Sequence, residues 1–171
     1  MDYLKSVEEF HETFEHPIND QKVNDEKLKK LRVKLIFEEL EELSTAMGTS
    51  KTMKELCENY LKNYNESKEY DKVETLDAFC DLQYVLSGAI ISLGYKDVFN
   101  QAFDDVHKSN MTKKCETKEI AEKTIEYYKN VKNESLNIDI VPKNDGYILK
   151  REDDKVLKSI SYSPVKLDKY I

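Results

Sequence analysis

Acidic residues crowd two stretches whose other residues avoid water. In Glu38-Glu39-Leu40-Glu41-Glu42 and in Glu74-Thr75-Leu76-Asp77 the carboxylates recur three apart, the spacing that stacks side chains on one face of a helix. Turned at about 100° per residue, Glu39 and Glu42 fall in the arc of Leu28, Leu31, Leu35, Leu43 and Ala46. Glu38 stands at the edge of that arc, and Glu41 points to solvent. On the second stretch Glu74, Asp77 and Asp81 form a stripe beside Ala78 and Val85. Ionised carboxylates buried without partners cost several kcal/mol or more each, so converging inner faces of this kind call for cations. Oxygen-only ligation suits Mg2+ or Mn2+ rather than zinc.

Helices must hold these residues. A first helix is predicted over about 2–15, with Leu4, Val7, Phe10 and Phe14 along one side and Pro17 beyond its end. From about Glu26 to Met47 the period is helical and carries the first acidic cluster, and Gly48 suits the left-handed position past a helix end. Thr49 or Ser50 is placed to cap a third helix reaching about Tyr64, and 65–72 reads as a loop. Val73 to Leu93, closed by Gly94, is apolar nearly all round and is expected to be central. A fifth helix over about 96–108 turns Val98, Phe99, Ala102, Phe103 and Val106 inward, and Thr117 opens a surface helix to about Asn133. Past Leu136 the alternation of Ile138, Ile140, Tyr147 and Leu149 around Asn144-Asp145-Gly146 predicts a small hairpin or extended tail. The reading is an all-α helical bundle over 1–135, with residues 136–171 packing on that body or on a partner subunit.

Composition narrows the partners. A chain of 171 residues with 36% charged residues, 39% hydrophobic residues, 4 glycines and 3 prolines favours long amphipathic helices over sheets. Its net charge of −7 argues against gripping a nucleic-acid backbone, so a polyanionic small substrate would arrive with its metal. Cys57, Cys80 and Cys115 lack CxxC spacing and read as reduced thiols of a cytoplasmic protein. No basic leader followed by an apolar run and no apolar stretch of about 18 residues is present, so neither export nor a membrane span is expected.

With EExxE at Glu38, Glu39 and Glu42 and ExxD at Glu74 and Asp77, the chain resembles the all-α nucleoside triphosphate pyrophosphatases, which include MazG-like enzymes, dimeric dUTPases and phosphoribosyl-ATP pyrophosphohydrolases. Further blocks carry the likeness: Val7-Glu8-Glu9-Phe10-His11, Leu31 to Leu43, Leu76 to Val85, Val106 to Lys113, and a tail with Lys155-Val156-Leu157-Lys158 and Tyr162-Ser163-Pro164. Glu42 and Glu74 stand farther apart than is usual in that superfamily, through a longer third helix and loop. The resemblance implies a four-helix core, a homodimer or dimer of dimers, and Mg2+ held by Glu39, Glu42, Glu74 and Asp77. It also implies that Glu38 orients or deprotonates the attacking water, and that Lys108, Asn110 and Lys113 touch phosphate and nucleoside.

Other residues leave two readings open. Asp81 either joins an outer shell of the metal site or pairs with a lysine. Tyr84 is either a core aromatic or a base-stacking group at the substrate. Asp104 and His107 have the carboxylate-x-x-His spacing of di-iron bundles, but only one such motif exists where two are needed. His11 and His16 read as surface or capping residues. The function expected is Mg2+-dependent hydrolysis of a (deoxy)nucleoside triphosphate to monophosphate and pyrophosphate, as nucleotide housecleaning, with dUTP or another pyrimidine deoxynucleotide favoured. Phosphoribosyl-ATP hydrolysis is the alternative enzyme, disfavoured by the tail, and a non-catalytic nucleotide-binding helical dimer is the alternative without chemistry.

Overall fold

Asp2 begins the first helix, because its side chain accepts the amide of Lys5 at 3.4 Å and so satisfies a donor the helix itself leaves open. The computed structural model describes residues 2–18, 26–48, 53–63, 70–130, 137–151 and 155–171. Among them are helices α1 (Tyr3–Phe14), α2 (Glu26–Ala46), α3 (Met53–Lys62), α4 (Lys72–Ser92), α5 (Phe99–Met111) and α6 (Lys118–Asn130), and strands β1 (Ile138–Lys143) and β2 (Gly146–Arg151). The protein is all-α, with one small C-terminal hairpin. The chain divides into two compact units, Met1–Ile18 with Gln83–Ile171, and Asn19–Leu82, so that α4 begins in the second and ends in the first.

In the larger unit α1 packs on α5, with the Tyr3 ring set edge-on at 4.6 Å from Phe103. The left-handed end of α1 falls at Glu15, φ 57°. Helix α6 starts where expected, because Thr117 Oγ1 accepts the amide of Ile120 at 3.2 Å. β1 and β2 pair antiparallel, Ile140 opposite Leu149 and Lys143 opposite Gly146, around the turn Asn144-Asp145. Cys115 and Tyr147 exchange both backbone hydrogen bonds, at 2.8 and 2.7 Å. That brings the Cys115 carbonyl to 2.4 Å from where a side chain on Gly146 would begin, at φ +147°, so only glycine fits there.

The buried core lies in this unit. Cys115, Ala121, Leu149 and Leu157 form it, with Ile120, Ile125, Tyr128, Ile138 and Ile140 around them. The tail completes the core: Leu157 donates its amide to the Leu149 carbonyl at 2.9 Å. Thr124, fully buried, is satisfied on both sides, donating to the Ile120 carbonyl at 2.7 Å and accepting the Ile160 amide at 3.1 Å, as a buried hydroxyl requires. The tail therefore packs on its own chain.

In the smaller unit α2 packs against α3, with Phe37 and Tyr60 rings 5.7 Å apart. Lys29 Nζ lies 5.2 Å above the Tyr70 ring. None of its described residues is buried.

Two expectations need correction. Helix α4 is not central within the chain: Leu76 is 65% exposed, Val85 70% and Ile91 58%. An apolar pattern all round a helix states that it needs cover, not that its own chain supplies it. The fifth helix also ends later than its apolar pattern suggested, at Met111 rather than near 108, because buried Ser109 continues the inward face as a small polar residue with hydrogen-bond partners. The positions placed at the cap of α3, Thr49 and Ser50, lie outside the described residues, as do 64–69 of the loop before α4.

Candidate active site

Asp71 fixes the phase of the second acidic stretch. Its Oδ1 accepts the amides of Val73 at 2.9 Å and Glu74 at 3.1 Å, and its carbonyl accepts the Thr75 hydroxyl at 2.6 Å. Helix α4 therefore starts at Lys72, with Glu74 in its first turn, where the helix dipole favours a carboxylate, and Asp77 three residues on. Asp71 falls in the stretch that reads as a loop, 65–72, although an Asp three residues before a Glu at a helix start is a capping signal.

Glu39 and Glu42 sit in the second half of α2, both exposed, as are Glu74, Asp77 and Asp81 on α4. None of these five makes an ion pair among the described residues. Acids elsewhere do. Glu15 meets Lys143 at 2.8 Å and Lys150 at 3.4 Å, and the Lys143 hydrogen bond holds its carboxyl below the usual range. Asp145 is lowered in the same way by Lys114. Glu38 differs from its neighbours, because Lys34 Nζ, one turn earlier, lies 3.4 Å from its Oε1. Glu41, expected to point to solvent, is half-buried, while Glu39 and Glu42 are exposed.

The donor chemistry suits a hard divalent cation: four carboxylates in two pairs, each three apart on one helix, with no competing ammonium among the described residues. Among the described residues, however, no three such groups converge as a finished metal site. Helices α2 and α4 each carry one such pair, Glu39 with Glu42 and Glu74 with Asp77.

The substrate candidates lie mostly elsewhere. Tyr84 is 82% exposed on α4 and is no core aromatic. Lys108 and Asn110 lie on α5 itself, not beyond it. Lys108 Nζ is 2.6 Å from Asp104 and 4.0 Å from Asp105, and the Asp104 hydrogen bond raises its affinity for a proton. Lys113 follows the helix, with its ammonium 5.3 Å over the Phe10 ring, a cation–π distance. The histidines also have partners. His107 Nε2 lies 3.1 Å from Glu9, His11 Nδ1 lies 3.0 Å from the Pro17 carbonyl, and the His16 ring stacks on Phe10 at 5.7 Å. His107 thus ties α5 to α1 and has no second carboxylate-x-x-His motif to join.

Comparison of the chain with known families gives the class first: a hydrolase acting on phosphoric anhydrides, within the all-α nucleoside triphosphate pyrophosphatase superfamily. Residues 7–110, more than half of the chain, match the family model for phosphoribosyl-ATP pyrophosphohydrolase, and the chain belongs to that family. Neither curated proteins nor solved structures give a match. The matched span takes in both acidic stretches, Lys108 and Asn110, and leaves out Lys113 and the tail. No helix among the described residues is long and apolar enough to cross a membrane.

Proposed function

We propose that this nucleotide pyrophosphohydrolase hydrolyses a (deoxy)nucleoside triphosphate between its α and β phosphorus atoms, releasing monophosphate and pyrophosphate in the cytoplasm. The observation that supports the reading is that Glu39, Glu42, Glu74 and Asp77 make no ion pair among the described residues, where Glu15, Asp105 and Asp145 all find ammonium partners. Carboxylates kept clear of lysine on two helices are ligands for Mg2+, or for Mn2+ in its place. Bound there, the ion would neutralise phosphate charge and activate water. Glu38, at the edge of the pair on α2, orients that water, and Lys108, Asn110 and Lys113 hold phosphate and nucleoside.

The assembly proposed is a homodimer through α4. Full burial of a leucine, valine or phenylalanine side chain yields about 1.5–3 kcal/mol, and α4 exposes Leu76, Phe79, Leu82, Val85 and Leu86 together. A second copy covering them would give the smaller unit the buried apolar surface its described residues lack, and would bring carboxylate-bearing helices into one four-helix core. Asp81 and Tyr84, exposed on the same helix, then lie at the mouth of the site.

Phosphoribosyl-ATP as substrate is the second reading, and the matched family favours it. The tail, whose likeness to another subgroup disfavours phosphoribosyl-ATP, lies outside the matched residues. Both substrates carry a triphosphate cleaved at the same bond, so one experiment decides: pyrophosphate release with Mg2+ from a panel of nucleoside triphosphates and phosphoribosyl-ATP. Turnover of a pyrimidine deoxynucleotide alone supports the first reading, turnover of phosphoribosyl-ATP alone the second. No release from any of them would leave a nucleotide-binding protein without this chemistry.

A further inference from the structure

The tail returns to α5 and forms one wall of a cleft of about 370 Å3, lined by Asp105, Lys108 and Ser109 of the helix, by Thr112 at its C-terminal cap, and by Lys166 and Lys169 of the tail, among others. The two walls are pinned together. Ser109 Oγ donates to the Ser163 carbonyl at 2.7 Å, with the Tyr162 hydroxyl 3.1 Å from the same oxygen. The Ser163 amide donates to Thr112 Oγ1 at 2.9 Å. At the far end Lys169 and the Tyr170 hydroxyl meet Asp105 at 2.5 and 2.8 Å. Three ammonium groups thus share one lining with a single carboxylate, Asp105, while Asp104 and Asp168 stand beside it outside the lining. Lys166 has no ion pair among the described residues. In a protein of net charge −7, a lining with more ammonium groups than carboxylates attracts anions.

We propose that this cleft binds phosphate groups, with Lys166 of the tail, which has no ion pair among the described residues, as its first cation and Lys108 and Lys169 turning from Asp104 and Asp105 to the ligand. The inference rests on the reading that Lys108 meets the substrate's phosphates, and it extends that role to a segment outside the matched family span. The ligand is the pyrophosphate part of the substrate, or free phosphate or pyrophosphate bound in its own right.

Calorimetry with pyrophosphate on the full chain in EDTA tests the cleft without metal or turnover. Lys166→Ala should weaken binding about three- to tenfold, the range of one ordinary solvent-exposed hydrogen bond, and Lys166→Glu should weaken it further. Because Lys166 pairs with nothing described, the melting temperature should not move. Lys169→Arg should keep binding where Lys169→Ala loses it. If KM for the nucleotide rises by the same factor in Lys166→Ala at constant kcat, the cleft takes the substrate's own phosphates. If KM is unmoved while pyrophosphate binding falls, it holds a free phosphate ligand. Pyrophosphate binding equal to the parent in both Lys166 variants overturns the proposal. Glu42→Ala separates this from the reading of the acidic site: it should lose turnover yet bind pyrophosphate in EDTA like the parent. A fully active Glu42→Ala enzyme would count against the acidic site alone.

Discussion

Carboxylates three residues apart repel one another when nothing lies between them. Glu39 with Glu42 and Glu74 with Asp77 are such pairs, exposed and without a lysine partner among the described residues, and like charges at this spacing cost a few tenths of a kcal/mol. Replacing any one of the four by alanine should therefore leave the metal-free melting temperature unchanged or slightly higher, while pyrophosphate release with Mg2+ falls to background. Near-normal turnover in Glu42→Ala would end the assignment. Glu38 belongs to a different case, because Lys34 holds it at 3.4 Å. Glu38→Gln keeps the shape and removes the basicity, so kcat should drop while Mg2+ affinity by calorimetry stays. The lost surface pair costs no more than about 0.5 kcal/mol. Loss of Mg2+ affinity instead would make Glu38 a ligand and move the base elsewhere.

Asp71 shows what one residue does for an element. Capping the amides of Val73 and Glu74, it sets where α4 begins, and Asp71→Ala should lower stability by about 1 kcal/mol in thermal unfolding. The tail has its own fastening at Asp105, whose carboxyl is held below the usual range by hydrogen bonds from Lys169 and then Tyr170. A depressed carboxylate stabilises the fold above its ordinary range and loses that contribution as pH falls through the lowered value. Lys169 and Tyr170 are shifted upward by Asp105, so their contribution is full below their ordinary values and fades as pH rises through the raised ones. Proteolysis of the tail should thus be slowest across the neutral range and faster below about pH 4 and above about pH 10; in Asp105→Asn both pH limbs should flatten. Much of this level was legible beforehand. Gly48 and Gly94 take the left-handed turn that ends a helix, at φ 69° and 85°, and Asn144-Asp145-Gly146 turns the hairpin. Periodicity failed at α5, since it reads Ser109 as the end of an apolar face when its hydroxyl is satisfied inside. It was silent on the tail, because Ser163, Lys166 and Lys169 show their purpose only once folded against Thr112 and Asp105. Lys108 had Asp104 four residues before it, a spacing that pairs charges on any helix, and that signal was there to be used.

On the scale of the whole molecule the question is what covers α4. Its residues read as core in the sequence and stand exposed in the chain, Val85 at 70% and Leu76 at 65%, and exposed apolar side chains of this kind are what the proposed dimer would cover. Composition alone could not tell a helix buried by its own chain from one buried by a second copy, since both need apolar side chains on every face. The two cases differ in what a single charge does. Val85 lies two turns past Asp77 and outside the proposed ligand set, so Val85→Asp touches neither metal nor phosphate. A carboxylate placed at a desolvated interface costs several kcal/mol, paid twice in a symmetric dimer, enough to lower association at micromolar concentration by orders of magnitude. Sedimentation equilibrium should show the parent as a dimer and Val85→Asp as a monomer with its helical circular dichroism kept. Activity should fall with assembly and return at high protein concentration. A parent that sediments as a monomer while fully active would show that one chain closes its own carboxylate site, and α4 would then have to find its cover from within.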